Sequence, residues 1–281
     1  MTSGPTEGGR RRGSPPDLPV QGLGCMRMDD PLSARAVIAR AVDLGVRMLD
    51  TAEMYGSGSN EQLVGAAIRG RRRHVFLATK GGVRAEPDGT YSCHGRPEVL
   101  RAACERSLAR LDVEVIDLYY LHRRDPDVPL TESVGALGDL VTAGKIRHVG
   151  LCEVTAAELE AASAVFPIAA LQSEWSLTAR RIDAVLPTCA RLGTAVVPYA
   201  PLARGRLGRV PVLGDIARRH GIAATQVALA WLHDQSRRWG LPVVPIPGST
   251  SVAHLESNAA AATLRLSPDD LGLLDAAPMP T

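Results

Sequence analysis

Four side chains of this sequence can move a proton as a set: Asp50, Tyr55, Lys80 and His122. They stand in the stretches Leu49-Asp-Thr-Ala-Glu-Met-Tyr-Gly56, Ala78-Thr-Lys-Gly81 and Leu121-His-Arg-Arg-Asp-Pro126. A tyrosine ordinarily titrates near about pH 10. A neighbouring ammonium favours the phenolate and is expected to lower that value, while a carboxylate holds the lysine. The phenol then serves as a general acid at neutral pH, with the imidazole orienting a carbonyl oxygen beside it. Such a set protonates a carbonyl while another group supplies hydride. Lys80 is the most telling member. Lys and Arg number 32 together, and only Lys80 and Lys145 are lysine. Where the chain needs a generic cation it uses Arg, so a lysine after the buried-type run Val75–Thr79 asks for a role that a guanidinium does not fill. Taken singly, Asp50 also reads as a turn cap, Tyr55 as a loop aromatic and His122 as a satisfied core histidine. A Schiff base on Lys80, as in a lyase or isomerase, is a rival chemical reading.

These residues need a frame that brings strand ends to one rim. Short apolar runs alternate with amphipathic stretches from Leu18 onward. Strands are expected at Val20–Cys25, Arg47–Asp50, Val75–Thr79, Ile116–Leu121, Ile146–Leu151, Ile168–Gln172, Ala195–Tyr199 and Val243–Ile246. Their consecutive apolar residues suit strands buried on both faces of a parallel sheet. Helical patterns lie between them, such as Ser33–Leu44 ending at Gly45 and Pro97–Leu111 opening on proline. Eight strands alternating with helices predict a single (β/α)8 barrel of the α/β class over residues 18–281, behind a disordered tail at 1–17. A doubly wound sheet would want a GxGxxG turn, and Gly22-Leu23-Gly24 continues as Cys-Met-Arg with no third glycine. In a barrel, chemistry gathers at the C-terminal ends of the strands. Asp50, Lys80 and His122 stand at three such ends, and Tyr55 follows the first.

Composition narrows the function further. The 281 residues carry 32 basic and 30 acidic side chains, a net charge of +2 that offers no field for nucleic acid. No apolar run reaches the ~20 residues that span a bilayer, and Arg10-Arg11-Arg12 is not followed by a signal-peptide core. Five scattered cysteines form no CxxC pair, which points to a reducing, cytoplasmic setting with no structural metal. Cys93-His94 is too small a ligand set to hold one.

The motifs resemble those of the aldo-keto reductases. Leu49–Gly56 is similar to the family's first signature, Ala78–Gly81 carries its lysine, Leu121–Pro126 its histidine, and Gly144-Lys-Ile-Arg-His-Val-Gly-Leu151 its fifth-strand signature. The resemblance spans about residues 18–276. It implies a catalytic tetrad of Asp50, Tyr55, Lys80 and His122, and an NADPH cofactor bound extended across the barrel mouth. It implies that Cys152 and Gln172 meet the nicotinamide carboxamide, Cys152 standing where the family usually has serine, and that Tyr199 stacks on the ring. Cys25 and Met26 fall at the cofactor's edge, Leu202 and Arg204 in the pyrophosphate loop, and Ser249, Thr250, His254 and Asn258 in the adenosine segment. Ser249-Thr250-Ser251 has no cation for a 2′-phosphate and no acid for a ribose hydroxyl, so a modest NADPH preference resting on His254 is expected. The chain passes from Arg206 to Leu213 without the family's longer insertion, which implies an open mouth, and Gly81–Arg96 becomes the main segment for substrate selection. The family's N-terminal hairpin is missing, so the barrel floor is expected to be closed by the tail or not at all. The implied activity is NADPH-dependent reduction of an aldehyde or ketone by a monomer or weak oligomer, with no nucleic-acid or membrane partner. Arg96-Pro-Glu98 and the short loop resemble a bacterial branch that includes pyridoxal reductases. A secondary-metabolite carbonyl is an equal alternative. Some family members are instead non-catalytic cofactor-binding subunits of ion channels.

Overall fold

The computed structural model of the chain describes residues 17–86 and 88–277. The tail expected over 1–17 lies, up to residue 16, outside them. The elements run β1 (Gly22–Gly24), α1 (Pro31–Asp43), β2 (Met48–Asp50), α2 (Ser59–Ile68), β3 (Phe76–Gly81), β4 (Val83–Ala85), β5 (Tyr91–Cys93), α3 (Pro97–Leu111), β6 (Ile116–Leu121), α4 (Leu130–Thr142), β7 (Ile146–Cys152), α5 (Ala156–Val165), β8 (Ile168–Glu174), α6 (Leu186–Leu192), β9 (Ala195–Tyr199), α7 (Pro211–His220), α8 (Ala224–Trp239), α9 (Val252–Ala260) and α10 (Pro268–Asp275). Local signals place the helix starts. Asp30 caps α1 by accepting the Ser33 amide at 2.7 Å, and Thr155 with Glu158 forms a capping box on α5.

Seven parallel strands pair in the order β1-β2-β3-β6-β7-β8-β9. The expected eighth strand is not a regular one. The stretch 243–248 instead bridges both neighbours, Val196 to Val243 and Gly24 to Gly248. Gly22 donates to the Pro245 carbonyl at 2.9 Å, and Val244 to Val196 at 2.8 Å. Pro242, Pro245 and Pro247 have no N–H to continue the ladder, which explains the interruption. These contacts nonetheless close the (β/α)8 barrel. Closure is tight at Gly24, where a Cβ would sit 2.9 Å from the Ile246 carbonyl oxygen, so only glycine fits.

Alternation along the strands divides the core. Met48, Ala78, Leu118, Tyr120, Cys152, Ala170, Ala195, Val197, Val244 and Ile246 fill the barrel. Leu77, Tyr119, Val149, Leu171 and Val196 point outward to the helices. Leu18 packs against the inner set together with Phe76 and Ala169. The segment Gly81–Arg96, expected as a loop, contains the antiparallel hairpin β4–β5, with Val83 opposite Cys93 and Ala85 opposite Tyr91.

Candidate active site

The period-2 alternation that fills the barrel also delivers its rim. On β2, Met48 lies in the core and Asp50 one step above it; on β3, Ala78 is followed by Lys80; on β6, Leu118 and Tyr120 lead to His122. Cys152 and Gln172 pair in register on β7 and β8, and Tyr199 ends β9. Asp50, Lys80, His122, Cys152 and Gln172 are buried.

Lys80 Nζ lies 2.5 Å from Asp50 Oδ1 and also donates to the Thr51 carbonyl at 2.9 Å. It stands 3.3 Å from the Tyr55 hydroxyl and 5.0 Å from the centre of its ring. The second Asp50 oxygen accepts from Gln172 Nε2 at 2.8 Å. Since a carboxylate only accepts, this contact turns the Gln172 nitrogen inward and makes its oxygen the remaining acceptor. Tyr55 meets the His122 ring edge-on, with ring centres 6.1 Å apart.

The loop carrying Tyr55 is anchored at every step. Thr51 and Glu53 donate backbone N–H to Ala78 and Lys80 on β3. Thr51 Oγ1 bonds Asn60, whose amide in turn donates to the Cys25 and Met28 carbonyls. Gly58 has φ 96°, and the space where its side chain would stand holds Arg110, which bonds the fully buried Glu61 at 2.7 Å. Glu53 in turn binds Arg106 and Arg110.

Electrostatics correct one expectation. Burial pushes the Tyr55 hydroxyl above its ordinary pKa; Lys80 pulls the other way, but Asp50 offsets it. The phenol is therefore held protonated rather than poised to ionise. For Lys80, burial opposes the charge, yet Asp50 and the other neighbours raise its pKa, so it remains an ammonium. Burial lowers His122 to about 2, helped by Lys80 and Arg123, which keeps the imidazole neutral. Its Nδ1 is buried with no hydrogen-bond partner among the described residues. Burial raises the Cys25 and Cys152 thiols to about 12, leaving both un-ionised.

The remaining candidates form a second cluster along the rim. Cys25 is buried under Asp50, whose carbonyl accepts its N–H at 2.8 Å, and Met26 beside it is 56% exposed. The loop after β9 carries Leu202, half-buried, and Arg204, exposed and 3.4 Å from Glu174. Ala200, Ala203, Arg204 and Gly205 all have positive φ, from 48° to 85°. Two of their N–H groups are used inside the turn, Ala203 donating to the Ala200 carbonyl at 2.9 Å and Gly205 to the Leu202 carbonyl at 3.0 Å. Ser249 is buried and its hydroxyl bonds Ser251; Thr250 accepts Ser33 Oγ at 2.8 Å; His254 is exposed in the first turn of α9; Asn258 is buried. Sequence patterns alone passed over Glu153 and Arg123. Glu153 adopts φ 54°, rare for a side chain this size, and its carboxylate accepts the Glu174 amide at 2.8 Å. Both follow a rim residue directly, Cys152 and His122, which is the signal that would have found them.

Residues 22–278 match the Aldo/keto reductase family. The chain belongs to that family. A Glycine max protein named "Probable aldo-keto reductase 1" is 37% identical over 289 aligned positions, covering 89% of this chain and 82% of that one. A Klebsiella pneumoniae aldo/keto reductase crystallised with NADP and acetate is 33% identical, with a TM-score of 0.81 over 92% of this chain and 90% of its own. A thermostable aldo-keto reductase crystallised with the inhibitor epalrestat is 30% identical, with a TM-score of 0.82 over 95% of this chain and 98% of its own.

Proposed function

We propose that this aldo-keto reductase reduces an aldehyde or ketone to the alcohol with NADPH, and that Asp50, Tyr55, Lys80 and His122 carry out the proton transfer. The observation that carries the reading is the buried chain Gln172–Asp50–Lys80–Tyr55, with contacts of 2.8, 2.5 and 3.3 Å, facing a neutral His122. What supports the cofactor is Gln172, whose Nε2 is taken by Asp50 so that its oxygen is left to accept from an amide, and the exposed Arg204 guanidinium beside the strand-end loop for phosphate. NADPH, when bound, supplies the hydride. Tyr55 gives its phenolic proton to the carbonyl oxygen as negative charge develops there. Lys80 stabilises the phenolate that remains, and Asp50 holds the ammonium in place. The neutral His122 donates an N–H to the same oxygen. Cys152, Gln172 and Tyr199 line the nicotinamide end. Leu202 and Arg204 meet the pyrophosphate. Cys25, Met26, Ser249, Thr250, His254 and Asn258 take the rest of the cofactor.

The ammonium form of Lys80 argues against the Schiff-base reading, which needs a free amine. No described helix is long and apolar enough to cross a membrane, and all five cysteines are free thiols, in keeping with action in the cytoplasm. The test is to mix purified protein with NADPH and a panel of aldehydes and ketones and follow the cofactor's absorbance. Turnover that is lost in Tyr55→Phe is expected. Cofactor binding without turnover on any carbonyl would replace this reading with a regulatory one.

A further inference from the structure

We propose that Arg123 is a substrate-specificity residue of this site, taking the anionic oxygens of a carbonyl substrate that carries a carboxylate or phosphate. The inference rests on the carbonyl-reduction reading and deepens it. Arg123 follows His122 at the C-terminal end of β6 and is half-buried. Its Nη1 donates to the His122 carbonyl at 2.7 Å, which anchors the guanidinium to the rim and leaves its other N–H groups unassigned. Arg72, Arg106, Arg110 and Arg204 each hold a carboxylate, whereas Arg123 has none within ion-pair distance among the described residues.

The surroundings of Arg123 are those of the mouth. Its charge is felt at His122 beneath it and at Cys93 on the hairpin. Cys152, Tyr199, Glu153 and Tyr91, from the ends of β7 and β9 and from the hairpin, act on it in turn. The nearby negative group is Glu153, whose carboxylate accepts the Glu174 amide at 2.8 Å and makes no ion pair with Arg123 among the described residues. Lys80 is neutralised by Asp50 at 2.5 Å and buried below. A substrate anion entering between the hairpin and the β7 end therefore meets Arg123 as its cation. A planar guanidinium binds a carboxylate or phosphate through two parallel N–H bonds, and it would hold the substrate's far end while the carbonyl faces Tyr55.

The test measures kcat/KM of the full chain, saturated with NADPH, on three para-substituted benzaldehydes: 4-carboxy, 4-phosphonooxy and the neutral 4-methyl compound. At least one anionic aldehyde should exceed the neutral one by about tenfold or more, mainly through KM, and the better of the two identifies the oxyanion. Arg123→Gln should bring that ratio to within about twofold of unity, and Arg123→Lys, a point charge without the fork, should restore only part of it. A wild-type ratio near one, or a ratio unchanged in Arg123→Gln, overturns the proposal. If Arg123→Gln fails to fold, an Arg123→Lys enzyme with an undiminished ratio overturns it instead. If no aldehyde is turned over at all, the carbonyl-reduction reading fails separately. Calorimetric titration of the NADPH-loaded protein with benzoate, phenyl phosphate and benzamide then decides the anion site. An anion that binds more tightly than benzamide, and loses that advantage in Arg123→Gln, supports it; equal binding of all three overturns it.

Discussion

Replacing both members of the Asp50–Lys80 pair should cost clearly less stability than the two single replacements summed. The two side chains are 3% and 1% exposed and their charged atoms lie 2.5 Å apart. Lys80→Met leaves the Asp50 carboxylate with Gln172 Nε2 as its partner from the opposite strand. Asp50→Asn leaves a buried ammonium facing the Thr51 carbonyl and the Tyr55 hydroxyl. Removing one partner of a buried pair costs about 3–5 kcal/mol, because the other charge is stranded without solvent. For a chain of this size each kcal/mol is about 2–4 °C of melting temperature, so each single variant should melt lower by about 6–20 °C. The double variant Asp50→Asn/Lys80→Met strands no charge and should fall short of the summed penalties by at least about 2 kcal/mol. Folding raises the Lys80 pKa, so the pair's contribution is fully present below the unfolded lysine value of about 10.4 and is lost only as pH rises through the folded one. The coupling should accordingly be flat from about pH 6 to 8. Urea unfolding of the four proteins, followed by tryptophan fluorescence, measures it. Additive single penalties, or a single variant as stable as wild type, would refute the reasoning.

Tyr55→Phe should keep the fold and NADPH binding but lose turnover by at least about 10²-fold, the lower range of general acid catalysis, and near-normal turnover would remove Tyr55 from the mechanism. His122 and His233 are lowered to about 2 and about 4, so the unfolded chain binds protons there that the folded one refuses, and stability should fall with pH below about 6.5 at up to about 1.4 kcal/mol per unit for each. His122→Gln should remove its share of that slope between about pH 4.5 and 6, and an unchanged slope in urea titrations would contradict its neutral burial. The turn Ala203–Arg209 runs almost directly into α7 at Pro211, leaving no long strap over the rim, so stopped-flow mixing should show NADPH exchange faster than turnover; a slow binding phase would assign the strap to another segment. His254→Ala should erode a preference for NADPH over NADH worth about 2–4 kcal/mol, read as the ratio of kcat/KM values, and an unchanged ratio would place the 2′-phosphate elsewhere.

The rim was legible because alternation is a rigid rule. Once β2, β3 and β6 are placed, the residues that follow Met48, Ala78 and Tyr120 on the inner face are fixed, and they are Asp50, Lys80 and His122. Ile116–Leu121 and Ala195–Tyr199 appear with the expected boundaries because, Asp117 apart, they are almost wholly apolar and turn signals bound them. The eighth strand misled because apolar content at 243–246 is visible in sequence, whereas three flanking and interior prolines decide which ladder bonds exist. The β4–β5 hairpin was missed since its strands are three residues each and half-exposed, too short for a periodic signal. Glu153 and Arg123 directly follow rim residues, yet nothing in their types singled them out. Their importance lies in a left-handed backbone and in a missing ion-pair partner, and neither is a property of residue type.

The reversed sign at Tyr55 bears on how the transferred proton is held. From sequence, an ammonium beside a phenol lowers its pKa. In the folded site the ammonium is already matched by Asp50, so Tyr55 faces a nearly neutral ion pair and a strong burial penalty on its own anion. A raised phenol pKa keeps the proton in place at pH 7, which is the form that reducing a carbonyl requires. His122 follows the same logic, since a neutral imidazole donates a hydrogen bond without adding a second cation beside Lys80. The rim therefore keeps its charges apart. Asp50 and Lys80 cancel below, and Tyr55 and His122 stay neutral at the reacting position. The unmatched Arg123 lies toward the mouth, where a substrate's anion rather than its carbonyl would meet it.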